Sequence, residues 1–232
     1  MIEDSDLLKY FYRGLIPGPD ESEEAFLQRI QMAQPLSHSE WNDVVSPFGL
    51  VIDWVPISYS NHKMAWWEGA ATWISEDQLP SIQLRKNFQK GSFLGYKRSE
   101  VLSHEAVHAA RMRFEEPLFE EILAYATSPQ AWKRFFGPLF SRTWEPLILM
   151  LGVMMGFFWP LIPILMIGLS VGWLSYRQWV FKRCCRRFSL QVVLCLTDVE
   201  MKKFAWKSKG EIVAYLEKSS TPLSRLRRLL FN

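Results

Sequence analysis

The sequence predicts an α+β fold in three sections: a domain with a small sheet and two helices that carry the chemistry (1–141), a transmembrane helical hairpin (144–178), and a basic, mostly helical tail (179–232). Three observations lead there. Short stretches of strand period lie between stretches of helical period in the first section. Residues 146–176 contain no charged side chain. Residues 177–232 hold 13 of the 27 Lys and Arg but only 4 of the 24 acids, a net charge of +9 against −6 for everything before them.

Apolar residues make up 49% of the 232-residue chain, enough for one medium-sized core with appendages or for two small ones. Leu7, Leu8, Tyr10, Phe11 and Leu15 repeat at helical spacing and stop before Pro17, Gly18 and Pro19. Asp20 then reads as the cap of a second helix that has Phe26, Leu27, Ile30 and Ala33 on one face. Residues 50–56, 71–75 and 81–85 read as strands. Gly91 breaks the pattern, a helix follows from about Arg98 to Arg113, and Pro117 opens another that runs to about Ser128. His38 reads as part of a helix cap and His62 as a surface histidine.

The uncharged run from Pro146 to Tyr176 is too long for a buried strand and reads as membrane-embedded. Pro160 and Pro163 divide it. With Trp144 and Arg177 included, each arm reaches about 16 to 17 residues, near the lower limit for spanning. Lys133, Arg134 and Arg142 precede the run, while Arg177, Lys182, Arg183, Arg186 and Arg187 follow it. Positive charge at both ends favours a hairpin over a single kinked helix. It predicts an integral membrane protein whose domain and tail are cytoplasmic.

The basic tail points to a lipid bilayer as partner rather than to nucleic acid, because no aromatic-and-basic motif accompanies it. Leu223, Leu226, Leu229 and Leu230 form one face of a helix ringed by Arg225, Arg227 and Arg228, suited to lie on a membrane or to pack onto the domain. Cys184, Cys185 and Cys195 have neither zinc-knuckle spacing nor the even number of a disulfide framework, and fit a reducing compartment. Cys184 and Cys185 are placed for acylation, with idle thiols as the plainer reading. The acidic, polar start of the chain does not read as a signal peptide.

The chemistry centres on His104, Glu105 and His108, a His-Glu-x-x-His pattern. On a helix, residues four apart share a face, so both imidazoles reach one metal ion. Glu105, one residue from the first histidine, is placed to act as a general base on an activated water. Imidazole and carboxylate donors favour zinc. Two of the chain's four histidines make this motif, and the apolar neighbours Val101, Leu102, Ala106, Val107, Ala109 and Ala110 suit a buried helix. A catalytic zinc needs a third protein ligand, and no histidine lies downstream of His108. Glu121 falls about one turn into the returning helix, level with His108. Glu120 points roughly 100° away and is the runner-up, or an acid that holds a ligand histidine.

Here the chain resembles the gluzincin group of zincin-type metallopeptidases, whose second helix carries a ligand Glu followed three residues later by Ala, as Glu121 and Ala124 stand here. The resemblance covers about residues 80–128. It implies a zincin-like domain with His104, His108 and Glu121 as zinc ligands and Glu105 as base. Residues 220–226 are also similar to the C-terminal pattern of membrane zinc endopeptidases of the CAAX-prenyl type. That likeness nominates Glu200 as ligand, although Glu200 lacks the Glu-x-x-Ala spacing. Residues 81–85 are the expected substrate-binding edge strand. Tyr125 and Arg111 are possible transition-state donors, with pairing to Glu115 or Glu120 the plainer role for Arg111. The expected function is a membrane-anchored zinc metallopeptidase acting on a protein or peptide. The alternative is a catalytically inactive scaffold of the same fold that works through its basic tail. Oligomeric state is not legible.

Overall fold

Most of these local signals become elements within a few residues of where the sequence sets them. The structure is a computed structural model that describes residues 2–231 except 37–42, 66–67, 76–78, 143 and 219, and it leaves the Lys209 side chain undescribed. The expectation for His38 lies outside the described residues.

Helix α1 spans Asp4–Tyr12 and buries Leu7 and Phe11. Helix α2 spans Glu23–Met32, and its cap is Ser22 rather than Asp20: the Ser22 hydroxyl accepts the Ala25 amide hydrogen. Residues 50–56, expected as a strand, lie extended with Leu50, Ile52 and Trp54 buried. Only the end of the stretch meets the sheet, where the Pro56 carbonyl accepts the Ile82 amide hydrogen at 2.9 Å; the other backbone bonds go to loops and helix ends, Val51 N–H to Tyr12 O and Leu36 N–H to Asp53 O. The sheet consists of β1 (Ile57–Tyr59), β2 (Ala70–Ile74) and β3 (Pro80–Leu84), in the order β1-β3-β2. Strand β3 is parallel to β1, with Ile57 opposite Ile82, and antiparallel to β2, with Thr72 opposite Ile82. A short hairpin follows, β4 (Ser92–Phe93) and β5 (Tyr96–Lys97). Helices α3 (Arg98–Ala110) and α4 (Pro117–Tyr125) come next and pack on one another, α3 lying also across β2 and β3.

Beyond α5 (Ala131–Phe136) the chain forms the hairpin of α6 (Glu145–Met155) and α7 (Leu161–Cys185), then α8 (Leu190–Leu194), α9 (Asp198–Phe204), α10 (Lys209–Glu217) and α11 (Pro222–Phe231). Helix α11 packs against α1, α8 and α10, so its leucines are spent inside the molecule. One apolar cluster joins Phe11, Phe26, Leu84, Ala106 and Leu123 to Val180, Leu194, Phe204 and Leu226. The tail's arginines are used within the chain as well. Arg227 makes a buried two-bond pair with Glu200, at 2.7 and 2.6 Å, and Arg225 bonds Asp4 at 2.6 Å.

The predicted α+β class with a transmembrane hairpin needs correction at the hairpin. Among the described residues no helix is long and apolar enough to cross a membrane. Helix α6 has 11 residues, a rise of roughly 16 Å against a hydrocarbon core of about 30 Å. Helix α7 has 25, but its last turns belong to the protein interior, where Arg177, Val180 and Cys184 are buried. Arg177 donates to the carbonyls of Leu118 (3.1 Å) and Pro138 (2.6 Å) and to Ser141 Oγ. The expectation of an integral membrane protein with cytoplasmic domain and tail falls with the spanning helices, because the charge-placement argument presupposed them. What remains is a two-helix hairpin in which Gly152 faces Met166 and Gly156 faces Pro163. Its outer surface is apolar and exposed, with Phe157 97% and Phe158 76% accessible.

Candidate metal centre

Helical period alone sets His104 and His108 on one face of α3, and the turn at residues 111–116 brings α4 back alongside it. The two Nε2 atoms stand 3.2 Å apart. The carboxylate oxygens of Glu121 lie 3.6 Å from His104 Nε2 and 3.5 Å from His108 Nε2. Two donors held about 2.0–2.1 Å from one tetrahedral zinc lie roughly 3.3 Å apart, close to the separation of the two imidazole nitrogens, and each nitrogen faces a different oxygen of the Glu121 carboxylate, Oε2 toward His104 and Oε1 toward His108. Among the described residues, His104, His108 and Glu121 are a group that could hold a metal ion, with ligand atoms all within 4.8 Å of one another. The three side chains keep 18%, 19% and 27% of their surface accessible.

His108 Nδ1 lies 2.8 Å from Glu120 Oε1. A carboxylate only accepts, so Nδ1 carries the proton and the ring's Nε2 is turned toward Glu121 and His104. Glu200 is far removed in role: its two carboxylate oxygens are engaged by Arg227. Glu105 is buried. Its Oε2 accepts the Thr72 hydroxyl hydrogen at 2.8 Å, and its carbonyl accepts from the same hydroxyl at 3.3 Å. Tyr125 sets its ring edge-on to His104, centroids 4.6 Å apart. Arg111 is fully buried and tied elsewhere, its Nη1 donating to the carbonyls of Leu194 and, at 3.2 Å, Leu196, while the guanidinium sits 4.1 Å over Phe114.

Electrostatics follow from burial and crowding. Burial holds His104 well below the ordinary histidine value, and the neighbouring His108 adds to this. Burial also opposes a charged His108. The Glu120 hydrogen bond and the charges of Glu121, Glu120 and Glu105 outweigh it and carry the pKa up to about 10 in the metal-free protein. Burial raises the pKa of Glu105 and Glu121 from the ordinary glutamate value, with His108 pulling against it in both. With Glu105 buried and Glu120 and Glu121 partly so, three carboxylates stand around two imidazoles, a surrounding that suits positive charge.

The edge strand differs from the sequence reading. Residues 81–85 fall mostly on β3, which is paired on both sides. The outer strand beside the site is β2. A groove of about 520 Å³ runs between it and the helix pair, lined by Ala71, Thr72, His104, His108 and Glu121.

Sequence reasoning missed two residues that shape the site. One is Thr72, which bonds Glu105. The other is Asp198, whose carboxylate accepts the amide hydrogens of Leu118 (2.8 Å) and Phe119 (3.1 Å) and so caps the helix that carries both glutamates. An acid at the start of a capped helix was visible at Asp198, but nothing local says that it caps a second helix 80 residues earlier. Comparison with protein families, with curated proteins and with solved structures finds nothing that matches this chain.

Proposed function

We propose that the chain is a zinc-dependent hydrolase that cuts peptide bonds in the groove between β2 and the α3–α4 pair. The observation that carries this reading is the convergence of His104, His108 and Glu121 beside a buried carboxylate, Glu105, that is not one of the three. Bound there, zinc would supply Lewis acidity, polarising a carbonyl and making a water easier to deprotonate. His104, His108 and Glu121 would hold it, and Glu120 would keep the His108 ring oriented.

Glu105 is the proton carrier. Thr72 occupies one of its oxygens and leaves the other for the attacking water. Burial raises its pKa, which helps it hold the proton that passes to the leaving amine, while the His108 charge and the Thr72 hydrogen bond pull the other way. Strand β2 offers an outer edge on which an extended backbone can add as a further strand, placing its carbonyl above the two histidines. The scaffold alternative rests on a free basic surface. Arg225 and Arg227 are neutralised by Asp4 and Glu200 of the same chain, which reduces that surface, while Lys182, Arg186, Arg187, Lys203 and Lys218 stay exposed.

Metal analysis tests the assignment together with peptide hydrolysis. Wild type is expected to hold one zinc per chain. Glu105→Gln is expected to keep it and lose hydrolysis by about 10²-fold or more, and Glu121→Ala to lose the metal. Zinc-free wild type, or unchanged zinc in Glu121→Ala, overturns the reading.

A further inference from the structure

The backbone at the tip of the α6–α7 hairpin bonds to itself. The amides of Gly156, Phe157, Phe158, Trp159 and Ile162 donate to the carbonyls of Val153, Met154, Met155 and Trp159, and Pro160 and Pro163 have no amide hydrogen to place. Ser170, a hydroxyl part-way along α7, gives its hydrogen to the Met166 carbonyl at 2.8 Å. A turn in water has no need of such closure and is ordinarily built from Gly, Pro, Asn, Asp and Ser. A turn that meets hydrocarbon does need it, because an open amide there finds no water.

The side chains agree with the backbone. Leu151, Met154, Phe157, Phe158, Leu161 and Leu165 are exposed. The height of this apolar part is limited by rings at its root. Trp144 precedes α6, while Trp173 and Trp179 stand on α7, the Trp173 ring stacked on Tyr176 at 5.6 Å. At 1.5 Å per residue, Trp173 lies roughly 18 Å along α7 from Leu161, close to the roughly 16 Å of α6. One leaflet supplies about 15 Å of hydrocarbon, half of the core. The hairpin is too short to cross, yet it has the depth of a single leaflet, with indoles at the level where they favour the headgroup boundary.

Cations follow the indoles. Arg142 sits 5.8 Å over the Trp144 ring and Arg183 5.2 Å over Trp179, and Lys182 is exposed beside them. Residues 130–187 hold eight Lys and Arg, of which Lys133 and Arg177 are buried, against one acid, Glu145. That excess suits anionic headgroups and opposes the root of a second copy.

We propose that the α6–α7 hairpin docks on an anionic lipid surface, its tip in one leaflet and its root cations among the headgroups, without crossing the bilayer. Ser141, at the root, shares a space of about 370 Å³ with His108, Glu120 and Glu121. Docking therefore brings that face close to the lipid surface.

The test is flotation of the full, metal-free chain with phosphatidylcholine vesicles, with and without phosphatidylglycerol, so its result does not depend on the hydrolase reading. Binding is expected to both, at least about tenfold tighter with phosphatidylglycerol. Phe157→Asp combined with Phe158→Asp should weaken binding to both by about 100-fold or more while the unfolding midpoint stays. Arg142→Gln combined with Lys182→Gln should weaken only the phosphatidylglycerol binding, by about tenfold. Bromine atoms midway along the acyl chains should quench tryptophan fluorescence, and Trp159→Phe should remove most of that quenching. A chain that does not float, flotation that survives the two aspartates, or a dimer that withholds the hairpin from vesicles overturns the proposal.

Discussion

The α3–α4 pair and the α6–α7 hairpin invert each other's chemistry. In the first, carboxylates and imidazoles are crowded into a partly buried cleft. In the second, phenylalanine, leucine, methionine and tryptophan face outward with no carboxylate or ammonium among them between residues 146 and 176. Folding alone rewards neither arrangement. Buried like charges cost free energy, and apolar surface left accessible forgoes about 25 cal/mol for each Å² not covered. The two regions differ in what answers the cost. The cleft closes its account within the chain, apart from the positive charge its carboxylates call for. The hairpin's outer face is not covered by any described part of the chain, and contiguous exposed apolar surface of this kind marks a place of contact with something else.

Substitutions in the two regions should therefore be read by different measurements, and the largest effect belongs to the cleft. Glu120→Gln keeps the size of the group that holds His108 and removes its charge, so zinc affinity should fall about 10–100-fold, read by competition with a chelator. Unchanged affinity would deny Glu120 its orienting role. Gly137→Ala comes next. A Cβ there would stand 2.3 Å from the Tyr125 ring. Destabilisation of about 1–3 kcal/mol is expected in denaturant unfolding, with the ring displaced from His104. Asp198→Ala uncaps α4 and should cost about 1 kcal/mol. Zinc affinity should fall with it, because the capped helix carries Glu120 and Glu121.

The hairpin should show the opposite profile. Phe157→Asp is expected to shift unfolding by less than about 0.5 kcal/mol, read in denaturant. A large loss of stability would mean that the tip is packed in solution. The smallest effect is a proton count. His108 is raised to about 10 without metal, so at pH 7.5 it is charged, and zinc must displace the proton on Nε2. Uptake should release about one proton from this site and should tighten as pH rises toward 10. Calorimetry in two buffers of different ionisation enthalpy reads this directly. Metal uptake with no proton release would contradict a charged His108.

The site was legible where its geometry is local. His104 and His108 meet because helices repeat every 3.6 residues, and Glu121 joins them because the turn between α3 and α4 is short. Thr72 was not legible. It sits in a stretch that reads correctly as a strand, but which neighbour it faces depends on how α3 crosses the sheet. The stretch 50–56 shows the same limit from the other side. It reads as a strand and its apolar residues Leu50, Ile52, Trp54 and Val55 are buried, but composition does not supply a partner strand, and apart from Pro56 its backbone bonds to loops and helix ends. For the hairpin, composition and the two prolines gave the break between α6 and α7. The length of its free part depends on Arg177, which is drawn inward by the Leu118 and Pro138 carbonyls, and no apolar count reveals that.

The Asp198 cap also gives the site a schedule. A chain is made from its N-terminus, and every ligand-type residue of the cleft has been added by position 121. The helix holding two of them finds the acceptors for its first amides only at Asp198, and Arg111 finds its carbonyls only at Leu194 and Leu196. Contacts across some 80 residues close late, after the loop entropy between them has been overcome. The face that carries His104, His108 and Glu121 is thus completed only after residue 198 has been made, and a chain stopped short of it carries these three side chains on a helix pair that has not been locked.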